Sequence, residues 1–160
     1  MDITAFVEVG SSDYAIRLNK ALSRGDVITV RTARDGYGVD ISGHRPEDLR
    51  TVDMFLGERF RNSVTQNSRR YAGAVMAIGS YVGEVFVRNL AGWWRFPDTF
   101  QMIVLFLSWN PWKRGERYCH VVVREQQIQV FKAVREGIQR TSKEFSLHDF
   151  YQRWARYFQS

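Results

Sequence analysis

The clearest pattern of apolar and polar positions lies in the middle of the chain. Val75, Ile78, Val82, Val85 and Phe86 recur at three- and four-residue intervals, the spacing that places side chains on one face of an α-helix. The same stretch carries Ala72, Gly73, Ala77, Gly79, Ser80 and Gly83. Glycine inside a helix costs about 1 kcal/mol relative to alanine, so glycines this dense predict a close neighbour that offsets the loss. The pattern predicts a helix over residues 69–90 at the centre of the fold, with Gly79 and Gly83 facing packed backbone or aromatic rings.

Before this helix the pattern is mixed. Residues 3–9 are short and β-prone and read as a first strand. Ser11 or Ser12 can cap a helix over 13–22, with Ile16, Leu18, Ala21 and Leu22 as its apolar positions and Arg24-Gly25 as its end. Residues 27–32 alternate and are rich in β-branched side chains, which predicts a strand. Asp35-Gly36 then marks a hairpin turn towards Val39-Asp40-Ile41. Pro46, Glu47 and Asp48 suit a helix start, and Leu49, Val52, Phe55, Leu56 and Phe60 extend that helix to about residue 62. Residues 62–68 form a polar linker.

After the central helix, Gly92 is the expected terminator. Residues 93–96 predict a short strand, Pro97-Asp98 a turn, 101–107 a buried strand, 109–115 a loop and 118–124 another strand. Ile128, Phe131, Val134 and Ile138 then describe a helix of about ten to thirteen residues. Ser146-Leu147-His148-Asp149 resembles a capping box with Asp in place of Glu. It opens a last helix carrying Leu147, Phe150, Tyr151, Trp154 and Phe158 on one face. This order of elements predicts an α+β fold: a single domain over 1–160, with an antiparallel sheet packed against the central glycine-containing helix and further helices.

Composition narrows the setting. A chain of 160 residues can bury roughly 70% of its unfolded surface without disulfides or metals. Cys119 is the single cysteine, which fits a reducing compartment, and Met1 to Phe6 lack the basic-then-apolar pattern of a secretory signal. A cytoplasmic location is the expectation. The longest strictly apolar run, residues 102–107, falls far short of the about 20 residues that a membrane helix needs. Glu84 and Arg88 mark residues 71–90 as a buried helix of a soluble protein, so no membrane span is expected.

The charge is uneven. The net is +6, yet residues 1–60 hold eight Lys/Arg against ten Asp/Glu, whereas residues 61–160 hold fifteen against seven. A basic half points to an anionic partner, whether nucleic acid, an acidic protein surface or anionic lipid. The plainer reading is a solvated surface rich in arginine.

Little in the sequence carries chemistry. His44, His120 and His148 are far apart, and no ligand pair with metal-binding spacing occurs, so no metal or cofactor is expected. Cys119 and His120 adjoin on a predicted strand and point to opposite faces. Cys119 reads as a small buried hydrophobe. The glycines of the central helix match neither the dinucleotide-binding nor the P-loop pattern. Glu84 reads as a partner of Arg88 one turn on, or as an acceptor at the helix–sheet junction; its functional reading is a buried general base. The most distinctive loop holds Trp109, Trp112, Lys113, Arg114 and Arg117, residue types that concentrate at interface hot spots. These five are the partner-binding candidates. Against that, both tryptophans could fold inward and cap the sheet.

Three segments carry a resemblance. Ser42-Gly-His-Arg-Pro-Glu-Asp-Leu49 leads into Val52-Asp53. Gly79-Ser-Tyr81-Val-Gly83-Glu84-Val85 is followed by Gly92-Trp93-Trp94, and Val130-Phe131-Lys132 to Gly137 precedes Ser146-Leu147 to Tyr151. Together they resemble a family of uncharacterised bacterial domains with a Ser…Leu-x-x-Val-Asp, Gly-x-Tyr-x-Gly-Glu-Val, Gly-x-Trp pattern, over about residues 40–153. The resemblance implies a stand-alone cytoplasmic domain, in some cases of immunity or accessory type, and supplies no catalytic residues. The resulting expectation is a small non-enzymatic interaction protein of inhibitor, immunity or adaptor type. The alternative is a nucleic-acid binder using the basic surface of residues 61–160, with Lys132, Arg135, Arg140, Arg153 and Arg156 as contacts.

Overall fold

A computed structural model describes residues 3–57, 60, 62–63, 67–96, 119–139 and 145–160. The largest departure from the sequence pattern comes first in the chain. Helix α1 runs unbroken over Ile3–Tyr37, about 52 Å at 1.5 Å per residue, and replaces the expected strand at 3–9, helix at 13–22, strand at 27–32 and hairpin. Leu18, Leu22, Gly25, Thr29 and Ala33 form its inward stripe. That stripe has helical spacing, and its burial outweighs the β-propensity of residues 27–32. The hydroxyls of Thr29 and Thr32 donate to the carbonyls of Gly25 and Ile28, at 3.1 and 2.8 Å, so these β-branched residues are satisfied within the helix. Gly25 does not end it. A Cβ there would lie 3.0 Å from Ala77 Cα and 3.0 Å from the Met76 carbonyl, because a second helix crosses at this point. The actual stop is Gly38, at φ +67°, whose N–H donates to the Arg34 carbonyl at 3.0 Å.

Helix α2 covers Asp48–Phe55, shorter than the expected 46–62. Pro46 lies just ahead of it, and Leu56 and Gly57 close it. Leu49, Val52 and Phe55 are its buried face.

Helix α3, Ser68–Leu90, is the central helix. Asn67 caps it by accepting from the N–H groups of Arg69 and Arg70. Tyr81, Val82, Val85 and Phe86 are fully buried. Gly79 and Gly83 face aromatic rings as expected: a Cβ on Gly79 would overlap the Phe131 ring, and one on Gly83 the Trp94 ring. The left-handed residue that ends α3 is Ala91, at φ 52°, not Gly92. Gly92 is required for a different reason. A Cβ there would lie 2.9 Å from Val123 Cγ2 and 3.0 Å from the Val122 carbonyl, where the chain passes over the sheet.

Strands β1 (Trp93–Arg95), β2 (His120–Val123) and β3 (Gln126–Ile128) form an antiparallel sheet in the order β1-β2-β3. Trp94, Val121 and Ile128 are in register and so share the face that meets α3. Strand β3 has no counterpart among the expected elements. Its hairpin turns on Arg124-Glu125, both at positive φ (44° and 69°), whereas the usual signal for this turn is Asn-Gly or Asp-Gly. Arg124 is held there by donating to the Phe158 carbonyl at the end of the last helix.

Two helices complete the fold: α4 (Val130–Gln139) and α5 (Leu147–Gln159). Both are strongly two-faced, burying Val130, Phe131, Val134 and Ile138, and Leu147, Tyr151, Ala155 and Phe158. The architecture is the α+β arrangement read from the sequence, with the antiparallel sheet on the central glycine-containing helix. No described helix is long and apolar enough to cross a membrane. The expected strand at 101–107 and loop at 109–115 lie outside the described residues.

Candidate contact surfaces

A catalytic role needs an acid, base or nucleophile whose proton or lone pair is free to meet a substrate. His44 sits at φ 51° with its ring stacked on Tyr81 at 4.9 Å. Its Nδ1 bonds the Ser42 carbonyl and its Nε2 bonds Asp26 Oδ1, each at 2.7 Å. The two side chains are only 5% and 15% exposed. Both ring nitrogens are occupied, so neither can serve a substrate. Asn89 donates to the His44 carbonyl at 2.7 Å, and Tyr81 donates to the Ile41 carbonyl at 2.8 Å; burial raises the Tyr81 pKa. The cluster ties α1, the 38–47 connection and α3 together.

Glu84 fulfils both structural readings of the sequence. Its Oε1 accepts from the Trp94 indole N–H at 3.0 Å, and its Oε2 from Arg88 at 3.4 Å. Asp53, in the first of the resembling segments, caps α5 from α2. It accepts from Ser146 Oγ and the Leu147 N–H, each at 2.7 Å, and from the His148 N–H at 3.2 Å. Ser146 in turn accepts from the Asp149 N–H at 3.1 Å. The helix start is legible in the sequence, but its acidic partner, Asp53, lies far upstream. Cys119 is buried, and burial pushes its thiol up to about 12. His120, on the opposite sheet face, is 7% exposed with neither ring nitrogen hydrogen-bonded. Burial, and then Arg95 across the strand pair, lower its pKa below the ordinary 6.5. No cluster of metal-ligating side chains occurs among the described residues.

Surface geometry is more informative. A groove of about 360 Å³ lies between α4 and α5. Lys132 lines it from α4 and Arg153 from α5, and Phe145, Phe150 and Trp154 supply apolar floor. Gln127, Gln129 and Glu136 complete its polar edge. Thus two of the five basic candidates, Lys132 and Arg153, converge on one concavity. Arg135 is half-buried on α4, and Arg156 is exposed on α5, donating to the Gln152 carbonyl at 3.3 Å. Arg140 lies outside the described residues, as do Trp109, Trp112, Lys113, Arg114 and Arg117. The sequence pattern places Trp154 and Phe150 on the buried face of α5. They are half-buried, because the fully buried stripe runs through Tyr151 and Ala155 instead.

A second basic surface escapes the sequence reading. Arg17, Lys20, Arg24, Arg31 and Arg34 lie on α1 with one acid among them, Asp26, and Asp26 faces His44. A tally by halves hides this surface, since acids elsewhere in residues 1–60 cancel it. A helical wheel over 16–34 would have found it. Comparison with protein-family models, with curated proteins and with solved structures finds no match.

Proposed function

We propose that this chain is a small non-enzymatic interaction protein of inhibitor, immunity or adaptor type, acting in the cytoplasm and binding another protein through the α4–α5 groove. The observation that carries this reading is the meeting of Lys132 and Arg153 over Phe145, Phe150 and Trp154. Arginine and tryptophan are the residue types concentrated at interface hot spots, and the two cations favour an acidic partner surface. The commitment of His44 and Glu84 to internal contacts, and the burial of Cys119 and His120, favour binding over catalysis at these positions.

The test is affinity capture from the native host with quantitative mass spectrometry, comparing the wild type with Lys132→Glu/Arg153→Glu. A stoichiometric protein held by the wild type and lost from the variant is expected. Recovery of no such partner under several growth conditions refutes the proposal. A second reading is favoured by the same juxtaposition, since a tryptophan face flanked by cations also suits single-stranded nucleic acid. Retardation of DNA or RNA that weakens steeply with salt, and vanishes in the double variant, would replace the first reading with this one.

A further inference from the structure

Glycines in α3 weaken the helix and need an offsetting contact. Gly79 and Gly83 have theirs in the rings of Phe131 and Trp94, and Gly25 on α1 has the α3 backbone. Gly73 is different: a Cβ built on it meets nothing within 4 Å. It lines a groove of about 390 Å³ between α1 and α3, with Met76 and Ala77 from α3 and Lys20, Arg24 and Ile28 from α1. Ile28, in the lining, is 55% exposed.

We propose that this groove is a docking site for an acidic amphipathic helix of another protein, whose backbone approaches α3 most closely at Gly73. The bare glycine leaves room for a partner at a point in the groove that no described residue fills. Ile28, Met76 and Ala77 offer an apolar floor for residues repeating at helical spacing. Lys20 and Arg24 form a basic rim that attracts carboxylates on the partner's flanks. The same charges argue against other occupants. A second copy of this chain would bring Lys20 and Arg24 against their own counterparts in a two-fold contact. Nucleic-acid phosphates would gain nothing from the apolar floor. This site is separate from the α4–α5 groove, and neither proposal depends on the other.

The probe is a displayed library of helical peptides of about 16 residues, with apolar residues at i, i+3, i+4 and i+7 and a free choice of Glu or Lys at the flanking positions. Selection on the full chain should enrich Glu over Lys. The recovered peptides should lose roughly tenfold or more in affinity for Gly73→Leu, which fills the groove, and for Lys20→Glu/Arg24→Glu, which reverses its rim. The Lys132→Glu/Arg153→Glu variant should bind them as the wild type does. Circular dichroism should show both α1–α3 groove variants folded, since the space around the Cβ position of Gly73 is open. No enrichment over an unpatterned library, Lys-rich winners, or winners indifferent to Gly73→Leu would overturn the proposal. So would wild-type binding to phosphatidylserine vesicles or single-stranded DNA that the Gly73→Leu variant loses, or a dimer in sedimentation that the same change dissolves.

Discussion

Alanine at Gly83 and alanine at Gly73 add the same methyl group to the same helix and should move stability in opposite directions. Each gains about 1 kcal/mol of helix propensity. At Gly73 nothing lies within 4 Å of the new Cβ, so that gain should appear in full. At Gly83 the methyl lands on the six-membered ring of Trp94, with Cε2 at 3.1 Å. Trp94 is not free to swing away. Its indole N–H donates to Glu84 at 3.0 Å, and its ring packs on Phe131 at 5.8 Å between centroids. Moving it forfeits a hydrogen bond to a charged acceptor, about 1.5–3 kcal/mol. Leaving it in place overpacks the junction, at about 1–3 kcal/mol. Gly83→Ala should therefore lose up to about 2 kcal/mol net, some 1–3 kcal/mol below Gly73→Ala.

For a chain of this size each kcal/mol moves Tm by about 2–4 °C. Thermal unfolding followed by circular dichroism should place Gly73→Ala about 2–4 °C above the wild type and Gly83→Ala below it by up to about 8 °C. A Gly83→Ala variant that melts above the wild type, level with Gly73→Ala, would refute the packing of α3 on Trp94. A Gly73→Ala variant that melts lower would show that a neighbour occupies the α1–α3 groove.

Asp53→Ala removes three hydrogen bonds from the start of α5 and should cost about 2–3 kcal/mol; a urea midpoint unchanged from the wild type would show that Ser146 caps α5 alone. With its pKa pushed up to about 12 by burial, Cys119 should be almost wholly protonated at neutral pH. Iodoacetamide should leave it unmodified in the native protein and alkylate it in urea, and rapid native labelling would contradict its burial. His120 has its pKa lowered from 6.5 by burial, so below about pH 6.5 the unfolded chain binds a proton that the folded chain refuses. Stability should be full above that pH and fall as pH drops through it towards the lower folded value. His120→Leu should remove this part of the acid sensitivity, and an identical pH–stability profile in the variant would refute the assignment.

The parts of the fold that are legible in the sequence are those where period and caps agree. Helix α3 shows an apolar stripe of two turns and more. Helix α5 shows Ser146 ahead of Leu147 and Tyr151. Helix α1 is hidden by local signals that its packing overrides. Gly25 reads as a stop and is a crossing point with Ala77 and Ser80. Val27 and Ile28 read as part of an alternating strand and lie exposed on the helix, while Thr29 is buried. Ile128 fits the period of α4 but pairs with Val121 in β3, because Arg124-Glu125 carries no turn signal. Of the α4–α5 groove, Lys132 and Arg153 are visible as charges. Their convergence with Trp154 is not, because it depends on how α4 and α5 pack together.

The resembling segments acquire a common physical sense. Asp53 holds α5, Glu84 and Gly83 hold Trp94, and Tyr81 holds the Ile41 carbonyl. Each is a long-range tie between elements that neighbouring residues could not supply. Acids are spent on both long-range and local contacts. Asp26 bonds His44, Asp53 bonds the α5 N-terminus, Glu84 bonds Trp94, Asp48 accepts from the Arg45 N–H and Asp40 from the Ser42 N–H. Such carboxylates are fixed by backbone and side-chain donors, so they cannot swing out to neutralise Lys20, Arg24, Lys132 or Arg153. Arg34 pairs with Asp40 at 3.8 Å, and Glu136 lines the same groove as Lys132 and Arg153; Lys20 and Arg24 are the cations that these fixed acids leave to attract a partner. Because they are exposed, that attraction acts through solvent and is screened within about 8 Å at physiological salt. It should accelerate encounter with an acidic partner far more than it slows release. Under the two proposals, residence on either surface would then come from the apolar floors beneath the charges, from Trp154 and Phe150 in one groove and from Met76 and Ile28 in the other.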